Sequence, residues 1–459
     1  MVIVVTHACD SATTPITSVI FRFDLFALLS VQSFPGNAPD TNFDSPTCKP
    51  GCLNNVPESV DEVKTMLRTF KFILMILCSG QLALQAQEFK LFERKVQVHG
   101  WVSQGFAKTD NNNWLTMDTS SGSAGMTDMG LNMSMQISDN LRIGAQVYDR
   151  NLGELGQYHP SLDWAVVDFN PKSWLGFRGG KVKTVFGLYN DTQDQDFIHT
   201  FALLPQSIYP TDLRDATIAH AGGDVYGSIP LTHGAGSLSY TVFAGHRTDT
   251  VYSGYPYLLT QFGVRFTEYG GLQYGGDLRW HTPVNGLVAG FSRLDQDTQG
   301  TGTRAGLFAE EHSIQDWTNQ FYAQYTHGRF RIDSEYRRYL RDQRIQNGTN
   351  EDEDDVRGWY ISGAYRVKKW LEVGSYYSRY SITSTARKLL DRDLPQAHDY
   401  DKVVTANFDA NRFWNIKVEG HFMAGFGNAP YPNGFYPQVN PTGFKPDTNA
   451  LVLKTSLKF

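Results

Sequence analysis

The chain has 459 residues, a formal net charge of −6, 19% charged and 13% aromatic residues, and a mean hydropathy of −0.36. The mildly acidic balance speaks against a nucleic-acid partner, which needs a basic face. The hydropathy is that of a water-soluble protein, but the average conceals any chain whose strands meet water on one side and lipid on the other.

The four cysteines, Cys9, Cys48, Cys52 and Cys78, all lie in the first fifth of the chain. The long cysteine-free remainder suits a protein that crosses an oxidising periplasm. The Cys48/Cys52 pair lacks a second ligand pair at zinc-site spacing, so no metal is expected there. From Met66 the chain reads as a secretory signal peptide: Arg68 and Lys71, then an apolar core from Phe72 to Leu77, and a cut after Ala86. Leu84 stands where the cleavage site prefers a small residue, and Leu77 before Cys78 is too large for a lipoprotein site. A signal peptide cannot act from mid-chain. We therefore expect 1–65 to be a non-native extension or a disordered leader, 66–86 the signal peptide, and 87–459 the mature domain. That domain carries 36 Lys+Arg and 40 Asp+Glu, a net charge of −4.

After residue 86 no stretch reaches the ~18 apolar residues of a membrane helix. Period-two alternation recurs instead. Leu131, Met133, Met135 and Ile137 alternate with Asn132, Ser134 and Gln136; Phe330, Ile332 and Tyr336 with Arg331, Asp333, Glu335 and Arg337. Trp414, Ile416, Val418 and Phe422 alternate with Asn415, Lys417, Glu419 and His421, and Leu451, Leu453, Leu457 and Phe459 with Val452, Lys454, Ser456 and Lys458. The pattern predicts strands at 95–106, 125–137, 141–149, 162–169, 174–188, 217–229, 237–247, 270–281, 286–295, 317–326, 330–340, 358–367, 371–381, 400–408, 413–426 and 449–459. Short joints such as Ser138 to Asn140 and His327-Gly328 alternate with long ones near 107–124, 150–161, 189–216, 248–269, 296–316, 341–357, 382–399 and 427–448. A soluble sandwich has no reason for that asymmetry. The expected fold is all-β: a transmembrane antiparallel β-barrel of about 16 strands, with short periplasmic turns and long outer loops. Tryptophans 101, 164, 174, 280, 317, 359, 370 and 414 fall near strand ends, as interface girdles require.

The terminal Phe459 resembles the signature by which outer-membrane barrels are recognised by their assembly machinery. The run Phe177-Arg-Gly-Gly-Lys-Val-Lys-Thr-Val-Phe-Gly-Leu-Tyr-Asn190, then Asp196-Phe197 and Leu203-Leu-Pro-Gln-Ser-Ile-Tyr209, resembles bacterial porins of the phosphate-selective O/P type and their uncharacterised relatives. The local match covers roughly 174–216, the architecture the whole mature chain. The resemblance implies a Gram-negative outer-membrane channel for passive diffusion of small hydrophilic solutes or ions, embedded in lipid and lipopolysaccharide, without cofactor or enzymatic activity, and trimeric. No dense arginine ladder of the kind phosphate selectivity would suggest accompanies it.

In general porins the loop between the fifth and sixth strands folds into the lumen, and the resemblance suggests the same for Leu188 to Thr217. Its Asp191, Asp194, Asp196, Asp212 and Asp215, with His199 and Arg214, suit a constriction, and Phe197 to Leu204 suits a short wall-packed helix. Arg142, Lys181, Lys183, Arg331 and Arg337 are candidate wall cations opposite it, giving a transverse field. The plainer alternative is an outer loop with solvated charges. The acidic run Glu351 to Asp355 is placed in an outer joint, as a solvated face or as a divalent-ion or lipopolysaccharide contact. The glycines of 300–306 do not open a helix, so they form no phosphate cradle. Two competing classes remain: a barrel enzyme of lipase or protease kind, for which no nucleophile elbow or paired spacing is present, and a structural barrel with a blocked lumen.

Overall fold

A computed structural model describes residues 87–91, 94–345, 350–384, 393–427 and 433–459. The extension at 1–65 and the signal peptide at 66–86 lie outside them. The strands are β1 (Gln87–Leu91), β2 (Arg94–Thr109), β3 (Ser123–Ser138), β4 (Leu141–Leu152), β5 (Ser161–Lys172), β6 (Leu175–Lys183), β7 (Ala219–Pro230), β8 (Ser237–Asp249), β9 (Val264–His281), β10 (Leu287–Arg304), β11 (Leu307–His327), β12 (Phe330–Ile345), β13 (Asn350–Lys368), β14 (Leu371–Ser384), β15 (His398–Asn411), β16 (Trp414–Gly425) and β17 (Asp447–Lys458). From β2 onward each strand pairs antiparallel with the next, and β17 returns to β2, so that sixteen strands close into a barrel. Closure leaves no open sheet edge in hydrocarbon, where an unpaired backbone group has no water to bond.

The predicted alternation sets the two faces. Leu131, Met133, Val147, Val242, Leu278 and Leu453 are exposed on the outside, while Ser134, Gln146, Asp277, Glu335, Lys417 and Lys454 turn inward and are buried. This polarity is inverted relative to a soluble sandwich, because the outer face meets lipid. Trp174, Trp280 and Trp370 are exposed at the short-turn rim, and Lys172 Nζ lies 5.3 Å from the Trp174 ring.

All sixteen predicted strands form, with four departures from expectation. First, β1 is an additional strand. It pairs with the start of β2 from Gln87↔Val98 to Leu91↔Arg94, continuing the line of β17 past its end; five residues give too short an alternation to read. Second, β6 stops at Lys183, not at 188. Phe186 and Leu188 do alternate, but they are buried inside the barrel, Phe186 against Phe243 and Leu294. Third, the expected long joint at 296–316 is strand. β10 and β11 span 18 and 21 residues and meet at a tight turn through Ala305 (φ 50) and Gly306 (φ 79), the left-handed pair a two-residue hairpin needs. A span of about 9–11 residues crosses a membrane, so this hairpin rises well beyond it. Its glycines look like loop because aromatics occupy their space: a Cβ on Gly300 would lie 2.7 Å from Tyr269 and 2.8 Å from Phe266. Fourth, Glu351 to Asp355 lies within β13, paired with β12, not in a joint. Asp355 there accepts from Arg338 at 3.0 Å and Arg357 at 2.7 Å.

Candidate functional site

The chain leaves the wall after β6 and returns at β7, where the Thr184 amide donates to the Ile218 carbonyl at 3.0 Å. Between these points it turns inward through three 3₁₀ turns, Asn190–Thr192, Asp196–Ile198 and Thr211–Ala216. Pro205 and Pro210 prevent a longer helix. The expected helix over 197–204 does not form; beyond Ile198 the backbone is irregular.

Buried groups of the far wall hold this segment across the lumen. Asp196 is one hub: Lys454 Nζ lies 2.9 Å and Lys417 Nζ 3.8 Å from its carboxylate, and Ser456 Oγ donates at 2.7 Å. Lys417 also donates to the carbonyls of Asp196 and Phe201, both at 2.8 Å. Glu419 accepts the amides of Ala202 at 2.9 Å and Leu203 at 3.1 Å. Glu335 is a second hub. It accepts from the Leu188 amide at 3.1 Å, Tyr209 Oη at 2.6 Å, Tyr360 Oη at 2.8 Å and Gln320 Nε2 at 2.6 Å. Thr200 bridges Arg331 at 2.7 Å and Glu372 at 2.6 Å. In the ring, β14 and β15 stand opposite β6 and β7, and the anchoring strands β12, β14, β16 and β17 lie on or either side of that line, so these bonds span the barrel.

On the near side, Asp194 accepts from Lys183 at 2.8 Å and Arg214 at 3.0 Å. Arg214 also meets Asp163 at 2.8 Å and Asp215 at 3.6 Å, with its guanidinium 4.0 Å from the Tyr148 ring. Arg150 meets Asp215 at 3.1 Å, and Asp212 accepts from Tyr436 Oη at 2.6 Å. His199 bonds the Thr192 carbonyl at 2.8 Å and meets Tyr189 edge-on. Asp191 is half-buried and has no ion-pair partner within 4.0 Å among the described residues.

Burial alone would raise the Asp194 and Asp196 carboxyls, but Arg214 with Lys183, and Lys454 with Lys417, outweigh it and hold both below the usual range. Burial pushes Asp212 and Asp191 up. Burial likewise lowers His199 to about 4, leaving it neutral at pH 7.

Of the predicted wall cations, Lys183, Arg331 and Arg337 touch the segment, Arg337 by donating to the Ile208 and Ser207 carbonyls at 2.7 and 3.2 Å. Arg142 is exposed near the short-turn rim and donates to Ser134 at 3.1 Å. Lys181 donates to the Leu162 carbonyl at 2.6 Å. Neither reaches the segment. The predicted acids Asp194, Asp196, Asp212 and Asp215 are spent on anchoring and do not form an open acidic row. Lys417, Glu419, Lys454 and Glu335 were not among the candidates, although each lies on the polar side of a predicted strand, which was their one sequence signal.

Above the segment, outer loops also turn inward. Trp114, Leu115 and Met117 from the β2–β3 joint pack with Leu155, Phe435, Ala202 and Leu203. A short helix, α1 (Gly254–Leu259), brings Tyr255, Leu258 and Leu259 against Tyr269, Tyr380 and Tyr436.

No family model matches the chain, and no curated protein matches its sequence. Solved structures do share its fold. OmpT, an outer membrane protein of Vibrio cholerae, aligns with a TM-score of 0.50 at 11% identity over 82% of this chain and 100% of that one. The anion-selective porin from Comamonas acidovorans aligns with a TM-score of 0.49 at 12% identity over 80% and 100%. The outer membrane channel DcaP of Acinetobacter baumannii aligns with a TM-score of 0.49 at 10% identity over 81% and 99%. At such identities the likeness is one of fold: the chain has the closed antiparallel barrel of outer-membrane proteins.

Proposed function

We propose that this chain is an outer-membrane porin that passes small hydrophilic solutes or ions by passive diffusion, and that 184–218 is its constriction. The observation that carries the reading is the segment itself, held across the lumen by buried charges from β12, β16 and β17 and by half-buried Glu372 of β14. A sixteen-stranded barrel is wide enough for an aqueous channel, and selectivity then rests on what narrows it. The wider reading follows from the sequence: export from Met66 with cleavage after Ala86, assembly through Phe459, contact with lipopolysaccharide, a homotrimer, and affinity with O/P-type porins. Reconstitution of the chain from Met66 in planar bilayers tests the reading. Discrete conductance steps support it; a folded, heat-modifiable barrel that never conducts overturns it.

One observation favours a second reading, a barrel with a blocked lumen: the apolar packing of Trp114, Leu115 and Phe435 inside the outer mouth. The enzyme reading is weaker. Thr184 Oγ1, His220 and Asp224 form a hydroxyl–imidazole–carboxylate chain at 2.9 and 2.8 Å, but Thr184 and His220 are both 0% exposed, so no substrate reaches the hydroxyl.

A further inference from the structure

Most cations inside the barrel have an acid partner. Arg214 has three, and Arg247, Arg331 and Arg341 have at least one each. Arg337 differs. Its two Nη groups donate to the Ile208 and Ser207 carbonyls, its Nε is buried without a partner, and no carboxylate lies within ion-pair distance among the described residues. A guanidinium taken out of water and left uncompensated is costly. The sheet does not require it there, since any inward side chain could occupy this register.

Arg337 lines a cavity of about 80 Å³ between the outer half of the constriction segment and the wall from β10 to β14. Tyr255, Tyr339, Tyr380 and Val356 form its apolar sides, and Asn433 and Thr318 add polar atoms. No Asp or Glu lines it. Its other guanidinium, Arg214, is already paired.

We propose that this cavity is a subsite for a small organic carboxylate on the solute path. A guanidinium has five N–H donors. With two taken by carbonyls, those remaining can face a carboxylate, whose planar oxygens match the fork. The tyrosine rings and Val356 then cover the carbon body, which an inorganic oxyanion lacks. A buried water needs roughly 10–15 Å³, so a cavity of about 80 Å³ takes a body of about two to four carbons. The inference rests on the porin reading only in that solutes must enter the lumen.

Binding is tested apart from conduction, by saturation-transfer NMR on the folded full-length barrel in detergent with butyrate as probe. Transfer to the butyrate methylenes is expected, with none to n-butylamine. Arg337→Gln should weaken binding at least tenfold, and Arg142→Gln should leave it unchanged. Should Arg337→Gln fail to fold, Val356→Phe fills the cavity while keeping the guanidinium, and the same loss is expected. Absence of butyrate transfer in the folded wild-type chain, equal binding of butylamine, or full binding in both Arg337→Gln and Val356→Phe would each overturn the subsite. Bilayer conductance on the same samples separates the two readings. A barrel that binds butyrate without conducting keeps the site and loses the porin; one that conducts without binding does the reverse.

Discussion

Phe459 and Gly100 close the barrel together. The Gly100 amide donates to the Phe459 carbonyl at 3.1 Å, and the Phe459 amide returns a bond to the Gly100 carbonyl at 2.9 Å. The Phe459 ring lies over the glycine, so that a Cβ on residue 100 would stand 2.3 Å from it. The last ladder bonds are thus made by Phe459, over a position where any side chain must displace its ring.

Gly100→Val should therefore displace the ring and weaken closure by about 1–3 kcal/mol, the usual cost of overpacking. Phe459→Ala should spare the backbone bonds but remove the packing. Both variants should show a smaller heat-modifiable fraction on gels and slower refolding into vesicles, Gly100→Val more so. Refolding of Gly100→Val at the wild-type rate and yield would show that the contact does not matter.

His199 makes the segment sensitive to acid. Burial lowers the imidazole from its ordinary 6.5 to about 4, with Lys417 and Arg331 acting in the same direction and Asp196 and the Thr192 carbonyl opposing. Between those two values the unfolded chain binds a proton that the folded chain does not, so stability falls as pH falls through that window. The loss is on the order of 3 kcal/mol across it. Unit conductance or its noise should change between pH 6.5 and 4, and His199→Gln should flatten that change. An identical pH profile in the variant removes His199 as the cause.

Asp196 acts in the opposite sense. Its depressed carboxyl contributes stability above the ordinary aspartate value, and this is lost only as pH falls through the lower folded value. The anchor to β16 and β17 should hold at pH 4. Asp196→Asn, in contrast, leaves Lys417 and Lys454 buried without their shared anion. Breaking a buried pair costs about 3–5 kcal/mol. The variant should melt earlier and show a larger, noisier unit conductance, while Asp118→Asn on the exposed outer joint should match wild type. Unchanged melting and conductance in Asp196→Asn would count against the anchoring role.

The barrel was legible because lipid on one side and a polar interior on the other impose a period of two on every strand, even strands with few apolar residues. Legibility failed where that contrast fades. Above the membrane the outer half of β10, from Gln296 to Arg304, is polar on both faces and carries Gly300 and Gly302, so strand reads as loop. Inside, Phe186 and Leu188 are apolar for the sake of the lumen, so loop reads as strand. The inward segment was expected from its position and its acids, and Asp194 finds partners close by in Lys183 and Arg214; but the partners of Asp196, Lys417 and Lys454, lie more than two hundred residues away in sequence, and local pattern carries no such pairing. The same distance hid the inward packing of Trp114 on Phe435, since neither residue belongs to a periodic run.

That packing bears on whether the lumen conducts. Trp114 is 1% exposed and Phe435 0%, and their rings lie 6.4 Å apart, with Leu115 and Met117 beside them. These residues come from joints, not from the wall, so removing them need not disturb the ladder. Truncating a buried aromatic costs about 3–5 kcal/mol, drawn here from the attachment of loops to one another. Trp114→Ala with Phe435→Ala should leave the heat-modifiable barrel intact and raise unit conductance. If the wild type is silent and the double variant conducts, the loops are the block and the wall encloses a channel. If both conduct equally, the apolar packing lies beside the solute path and 184–218 alone sets its width.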